Sequence, residues 1–112
     1  MKNFNLAPCP LNLADCTLHD EIHTIGINRG NARVWLQAKW LIDSGFHNGA
    51  VYSVEYSTGK ISIMPSEKGR KVAGNLERPI IDLNSKKVTQ ALRGFDAVQV
   101  RAFNGSIEIE GI

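Results

Sequence analysis

The stretch that decides the fold is RVWLQAKWLIDSGFHNGAVYSVEYSTGKISIMPS, residues 33–66. Val34 and Leu36 alternate with polar neighbours, which predicts a short strand buried on one face. Apolar residues then recur at three- and four-residue spacing over 38–46, which predicts about two turns of helix lying on a sheet. Alternation resumes on both sides of a turn at 57–59, a pattern typical of a β-hairpin. The stretch therefore predicts a strand, a helix and a hairpin, in that order.

The same plan recurs over residues 78–110. A strand is predicted at 79–83, and Asn84 or Ser85 can cap the helix that follows it. The next two alternating segments meet at an Asn-Gly pair, residues 104–105, which is a strong hairpin signal. The chain is therefore predicted to contain two copies of one structural unit.

A constant shift of 46 residues superposes the two predicted hairpins, and it carries Ile61 onto Ile107. The front strands agree less well, because the same shift carries Leu36 onto Asp82. An internal repeat is therefore clear in the hairpins and weaker in the segments before them.

These residues also carry a resemblance. The run KWL at 39–41, the pair GF at 45–46 and Gly49 before an alternating hairpin resemble the SymE-like branch of the AbrB/SpoVT swapped-hairpin superfamily. The span 33–78 also resembles a segment that precedes the catalytic domain in some phage and plasmid cytosine-5 DNA methyltransferases. The first resemblance covers about residues 25–112. It implies a β-rich barrel of the kind that binds DNA as a dimer, and SymE itself is regarded as a toxin acting on nucleic acid.

The expected architecture is a mainly β (α+β) fold. Two tandem strand–helix–hairpin units, 33–66 and 78–110, are expected to form an AbrB-like pseudo-dimeric barrel within one chain. A hairpin over 21–37 is expected to precede them. The expected division is an irregular N-terminal arm at 1–20 and a single domain at 21–112.

Length and composition indicate a soluble globular protein. The chain has 112 residues and a formal net charge of +2. No apolar run approaches the roughly 20 residues that cross a bilayer. The N-terminus is too polar for a signal peptide, so a cytoplasmic location without membrane partners is expected.

Cysteine and histidine spacing predicts no metal site and no cofactor. Cys9 and Cys16 match no common zinc spacing, and two unpaired thiols are expected in the cytoplasm. His19 and His23 could share a metal on a helix. On the strand predicted there, they lie about 13 Å apart at ~3.3 Å per residue, which is too far to chelate one ion.

The sequence does not predict an enzyme. It contains no local signature of a serine or cysteine nucleophile and no phosphate-binding glycine loop. The acidic residues are scattered, so no pair of catalytic carboxylates is indicated, and no catalytic residue is assigned.

Positive charge is concentrated at two kinds of place: the loop at 66–78 and the starts of both predicted helices. Helix starts that carry lysines and free backbone N–H groups suit phosphate, although solvated surface lysines give the same pattern. The residues expected to contact phosphate are Arg29, Arg33, Lys39, Arg70, Lys71, Arg78, Lys86 and Lys87.

Three aromatic residues fall outside the predicted apolar faces: Trp35, Trp40 and Phe103. Such residues stack on bases or anchor a protein partner, or else they fill a second core layer.

The preferred hypothesis is a small non-enzymatic DNA-binding protein, a regulator or an antitoxin-like module, that is a monomer or a homodimer. The first alternative is an inhibitor encoded by a mobile element, of the anti-CRISPR or anti-restriction kind, which binds a host nuclease or ribonucleoprotein. The second alternative is a SymE-like toxin that acts on RNA.

Overall fold

A computed structural model describes residues 17–112, and within them the chain forms ten strands and two short helices. The predicted mainly β fold is confirmed. Cys9 and Cys16 lie outside the described residues. In chain order the elements are β1 (His19–Thr24), β2 (Gly26–Asn28), β3 (Asn31–Gln37), α1 (Trp40–Asp43), β4 (Val51–Ser57), β5 (Lys60–Pro65), β6 (Arg70–Lys71), β7 (Ala73–Gly74), β8 (Pro79–Asn84), α2 (Lys86–Ala91), β9 (Ala97–Phe103) and β10 (Ser106–Gly111).

The strands form two antiparallel sheets. The larger has the order β1-β9-β10-β5-β4-β6, and the smaller has the order β2-β3-β8-β7. Over residues 17–112 both sheets are open, with β1 and β6 at the edges of one and β2 and β7 at the edges of the other. The arrangement is two open sheets and not the closed barrel that was expected.

The N-terminal part differs from the prediction. Only β2 and β3 form a hairpin, whereas β1 pairs with β9 in the other sheet. The expected hairpin over 21–37 is therefore wrong in its first half. The arm expected over 1–20 also extends too far, because His19 and Asp20 belong to β1. Alternation identifies a segment as a strand but does not say which strand it pairs with.

One hydrophobic core joins the two sheets. Val34, Leu36, Ile81 and Leu83 point inward from the smaller sheet, and the alternating isoleucines of β5 and β10 point inward from the larger. Helix α2 contacts strands of both sheets. Helix α1 is a single turn, shorter than predicted, and the chain leaves it at Gly45, which has a φ of 97°. Each helix is thus a short connection laid over the core.

The two hairpins meet symmetrically at β5 and β10. Ser62 lies directly opposite Glu108, which is 46 residues later in the chain. The shift of 46 therefore exchanges the two strands. It maps the Ile61–Ile109 pair onto the Ile107–Ile63 pair, which lies on the other side of the Ser62–Glu108 pair. Such a register is what a twofold axis through the Ser62–Glu108 pair would produce.

The front strands β3 and β8 also pair symmetrically, with Trp35 opposite Asp82. Here the shift is 47 and not 46, and it carries the buried Leu36 onto the buried Leu83. The second unit is therefore one residue shorter between its front strand and its hairpin. This single-residue difference explains why a constant shift of 46 placed Leu36 on a polar position.

The turn of each hairpin contacts the helix of the other unit. The N–H of Gly59 donates to the carbonyl of Ala91, at 2.7 Å, and the N–H of Gly105 donates to the carbonyl of Ser44, at 2.9 Å. Both acceptors lie at the end of a helix, where carbonyls lack an intrahelical partner. We call this arrangement reciprocal capping, because each unit completes the helix of the other.

Gly105 supports a test of the turn between β9 and β10. Asn-Gly hairpin turns of type I′ have positive φ at both residues; Gly105 has a φ of 90°, but Asn104 does not have a positive φ, so the turn is not of type I′. A Cβ built on Gly105 would meet no heavy atom within 4 Å. We expect Gly105→Val to lower the free energy of unfolding by more than ~1 kcal/mol, because a β-branched residue is strained at positive φ. Gly105→Asn is the control and should cost less, since asparagine tolerates this conformation. Equal stability of the valine variant and wild type in chemical denaturation would contradict the expectation.

Candidate nucleic-acid interface

The outer side of the four-stranded sheet presents an exposed aromatic ring among polar side chains. Strands β3 and β8 bury one side completely, so alternation turns the residues between the core positions outward. We call this surface the Trp35 face. It consists of Arg33, Trp35, Gln37, Ile80, Asp82 and Asn84.

Trp35 is held in position although it is 41% exposed. Its Nε1 donates to Oε1 of Gln37, at 3.2 Å, and the guanidinium carbon of Arg33 lies 4.5 Å from the ring centroid. A cation over an indole ring is a favourable arrangement. The ring therefore has one preferred orientation before any ligand arrives.

Asp82 fixes Arg33 over the ring. Nε and Nη2 of Arg33 each donate to one oxygen of Asp82, both at 2.9 Å, and the two residues lie on neighbouring strands. The contact lowers the pKa of Asp82 below its ordinary value and raises the pKa of Arg33. Because this pair neutralises its own charge, Arg33 orients Trp35 instead of offering a free cation to phosphate.

Three of the predicted cations lie around this face. Arg70 donates from Nη2 to the backbone carbonyl of Asp82, at 3.3 Å. Lys39 and Arg78 line one concavity of about 300 Å³ together with Glu77 and with Gln37, which holds the Trp35 indole. We call Lys39, Arg70 and Arg78 the rim cations. They would place positive charge on phosphates of a strand that crosses the Trp35 face.

The other predicted phosphate contacts are distributed elsewhere. Arg29 lies in the turn between β2 and β3 with a φ of 52°, and Lys71 lies in β6 opposite Val51. Lys86 and Lys87 begin α2, where Nζ of Lys87 lies 5.8 Å from the Tyr56 ring centroid. The structure thus brings together only part of the predicted set.

The helix starts offer little room for phosphate. Helix α1 has four residues, and helix α2 has six. In α2 the Ser85 hydroxyl already accepts the N–H of Val88, at 3.3 Å. A row of aligned free N–H groups needs a longer, uncapped helix. The basic rim is therefore a better candidate for phosphate than the helix starts.

The outer side of the six-stranded sheet is more acidic and is unsuited to phosphate. Two of its basic residues pair with carboxylates: Lys60 Nζ lies 3.1 Å from Glu108 Oε1, and Arg101 lies between two acidic residues. Lys71 of β6, opposite Val51, lies on this side as well. The acidic residues on this side are Asp20, Glu55, Glu108 and Glu110.

The three aromatic candidates have three different environments. Trp40 is buried, 9% exposed, and is not accessible to a partner, because α1 turns it toward β1. Phe103 borders a concavity of about 480 Å³ with Met64 on the acidic side of the larger sheet. Trp35 alone of the three lies beside unpaired cations.

A second unusual site lies on the inner side of the edge strand β1. His19 and His23 place Nε2 at 3.1 Å and 2.5 Å from the same oxygen of Glu21, and the His19 ring stacks on Trp40 at 4.5 Å. The two imidazoles therefore come much closer than the strand spacing of about 13 Å predicted, because both side chains lean toward Glu21 between them. Three nitrogen atoms here are shielded from solvent: Nε2 of His19, Nε2 of His23 and Nε1 of Trp40. None of the three has a well-aligned hydrogen bond within residues 17–112. No three potential ligands in this described range are arranged to hold a metal ion.

Glu21 gives this cluster a pH dependence. Burial alone would raise its pKa, but the two histidines outweigh burial and lower the pKa below the ordinary 4.5. A lowered carboxyl pKa stabilises the fold above the unfolded value, and that stability is lost as the pH falls through the folded value.

We therefore expect Glu21→Gln to have a lower melting temperature than wild type at pH 6, and the difference to shrink steadily below about pH 4.5. The measurement is a series of thermal melts from pH 6 to about pH 3, since charge loss at Glu21 removes the counter-charge of both imidazoles. Glu67→Gln is the control, because it removes the same charge from an exposed loop residue that takes part in none of the described ion pairs, so its difference from wild type should be small at every pH. A gap between Glu21→Gln and wild type that is independent of pH would contradict the assignment.

Trp35 and Arg33 were both predicted as site residues, but their contact with each other and the roles of Gln37 and Asp82 were not predicted. The i, i+2, i+4 spacing of Arg33, Trp35 and Gln37 on a predicted strand was a usable signal. Asp82 had no such signal, because its position depends on the register between β3 and β8.

No helix over residues 17–112 is long and apolar enough to cross a membrane. Comparisons of the chain with protein-family models, with curated proteins and with solved structures found no match.

Proposed function

We propose that the protein binds DNA without performing chemistry on it, and that the Trp35 face is the binding surface. One observation carries the proposal: an exposed, oriented tryptophan lies on a face bordered by three cations that form none of the described ion pairs, although Glu77 lines the same concavity as two of them. Cations position nucleic acid through phosphates, and aromatic rings contact bases. Binding of DNA to the outer side of the larger sheet is unfavourable, because that side carries more acidic residues.

We also propose that the two units form an intrachain version of a swapped-hairpin dimer. The symmetric registers of β5 with β10 and of β3 with β8 support this, and so does the reciprocal capping. A relation to the AbrB/SpoVT superfamily would explain why one chain carries two copies of the unit. In that case, a single chain presents the surface that two chains present elsewhere, and a monomer is sufficient for binding.

The test is a salt titration of binding to random-sequence duplex and single-stranded DNA. If phosphates carry the affinity, the logarithm of the binding constant should fall linearly with the logarithm of salt concentration, by about 0.7–0.9 for each phosphate contact. If the protein binds neither duplex nor single-stranded DNA at ~50 mM salt, the DNA proposal is wrong. Binding that is insensitive to salt would show that the rim cations are not the contacts.

A second candidate is the inhibitor of a host nuclease, and one observation favours it. The concavity with Phe103 and Met64 lies beside Glu55 and Glu108, so an apolar anchor and negative charge occur together. Such a surface suits a basic protein partner better than DNA. A protein that binds no DNA, and whose Phe103→Ala variant loses a purified nuclease partner, would favour this candidate.

A further inference from the structure

We propose that the ligand of the Trp35 face is an unpaired strand, one base of which stacks on the side of the Trp35 indole that Arg33 does not cover. This inference rests on the proposed nucleic-acid binding and specifies the form of the ligand. A flat sheet contacts a duplex mainly through the sugar–phosphate backbone, because the bases are stacked inside. An exposed indole on that sheet therefore finds a stacking partner only where bases are unpaired.

The rigid setting of the indole supports stacking. The Gln37 hydrogen bond and the Arg33 cation hold the ring, and the Asp82 pair holds Arg33 in turn. A ring ordered in advance loses little conformational entropy when a base covers it.

Polar groups next to the ring can contact base edges. Asn28 donates from Nδ2 to Oδ1 of Asn84, at 3.2 Å, and Asn84 lies on the same side of the sheet as Trp35. The amide of Gln37 and the carboxylate of Asp82 are thus a donor and an acceptor beside the indole, and Asn84 and Asn28 lie further along the same side of the sheet. Base edges that are not paired with another strand are available to such groups.

The cations lie at the edge of the face and not at its centre. Arg70 reaches Asp82 from β6, and Lys39 and Arg78 border the concavity beyond Gln37. A single strand that stacks one base on Trp35 would bring its flanking phosphates toward these side chains. DNA and RNA strands share this chemistry, so the experiment has to include both.

The test measures tryptophan fluorescence in a Trp40→Phe background, where Trp35 is the sole tryptophan of the chain. The probes are oligo-dT, oligo-rU and a random duplex of equal length, about 15 nucleotides, in line with typical single-strand site sizes. We expect oligo-dT, oligo-rU or both to quench Trp35 and to bind more tightly than the duplex. A preference for one of them identifies the sugar.

In the chain with Trp40 intact, Trp35→Ala should weaken binding of the preferred oligonucleotide about five- to a hundredfold, whereas Trp35→Phe should retain most of the affinity. Melting temperatures near that of wild type show that both variants are folded. Tighter binding of the duplex, with Trp35 fluorescence unchanged, overturns the stacking proposal while DNA binding stands. If none of the three probes binds at low salt, the proposed function fails together with this inference.

Discussion

The variant in which Lys39, Arg70 and Arg78 are all replaced by alanine is expected to bind nucleic acid about a thousandfold more weakly at ~50 mM salt. Each lost phosphate contact removes about 0.7–0.9 from the slope of log affinity against log salt. Extrapolated from 1 M to ~50 mM salt, three contacts amount to roughly three powers of ten. The measurement is the same salt titration as for wild type, on the same DNA.

The matched control is the variant with Lys60, Arg93 and Arg101 replaced by alanine. It removes the same number of positive charges as the rim variant. Two of its three cations lie on the acidic side of the larger sheet, where they pair with carboxylates. Both variants therefore have the same formal net charge. If the control loses affinity as much as the rim variant does, then overall charge and not the Trp35 face determines binding.

The second large effect concerns stability. Leu36→Ala and Leu83→Ala should each lower the free energy of unfolding by about 2–5 kcal/mol, because both side chains are completely buried and alanine leaves a cavity. The two positions correspond under the 47-residue shift, so the two losses should be similar. Chemical denaturation of both variants gives the two free energies directly.

Gln37→Ala is the control for these substitutions, since Gln37 follows Leu36 on the same strand but points to solvent. A surface change of this kind is expected to stay within about 0.5 kcal/mol. A small loss at Leu83 beside a large loss at Leu36 would show that the front strands are not equivalent in the core.

Much of the fold was predictable from local patterns. Alternation located both hairpins, and the Asn-Gly pair located the turn at Gly105. The pairing of β1 with β9 was not predictable, because its partner lies more than seventy residues away and alternation is the same for any partner. Helix α1 is shorter than predicted. The helical spacing of apolar residues extends over 38–46, but the helix itself ends at Asp43 and the chain turns at Gly45.

The candidate site was predictable only where it depends on one strand. Trp35 followed from its position opposite the buried alternation of β3. Lys39 lies near Arg78, and Arg70 near Asp82, only because of how β6 and β8 are placed in the folded chain. A single strand's sequence pattern does not contain this information. For Trp40 the structure agrees with the alternative of a core residue and not with that of a partner contact, because the edge strand β1 covers its ring.

Reciprocal capping has a consequence for how the molecule opens. Since the amide of Gly59 holds the helix of the second unit and the amide of Gly105 holds the helix of the first, neither unit has a complete set of backbone partners by itself. Opening one hairpin releases a carbonyl in the other unit, so the two units should open as one cooperative group. In native-state hydrogen exchange, these two amides should therefore share one opening free energy, although they lie at opposite turns of the chain.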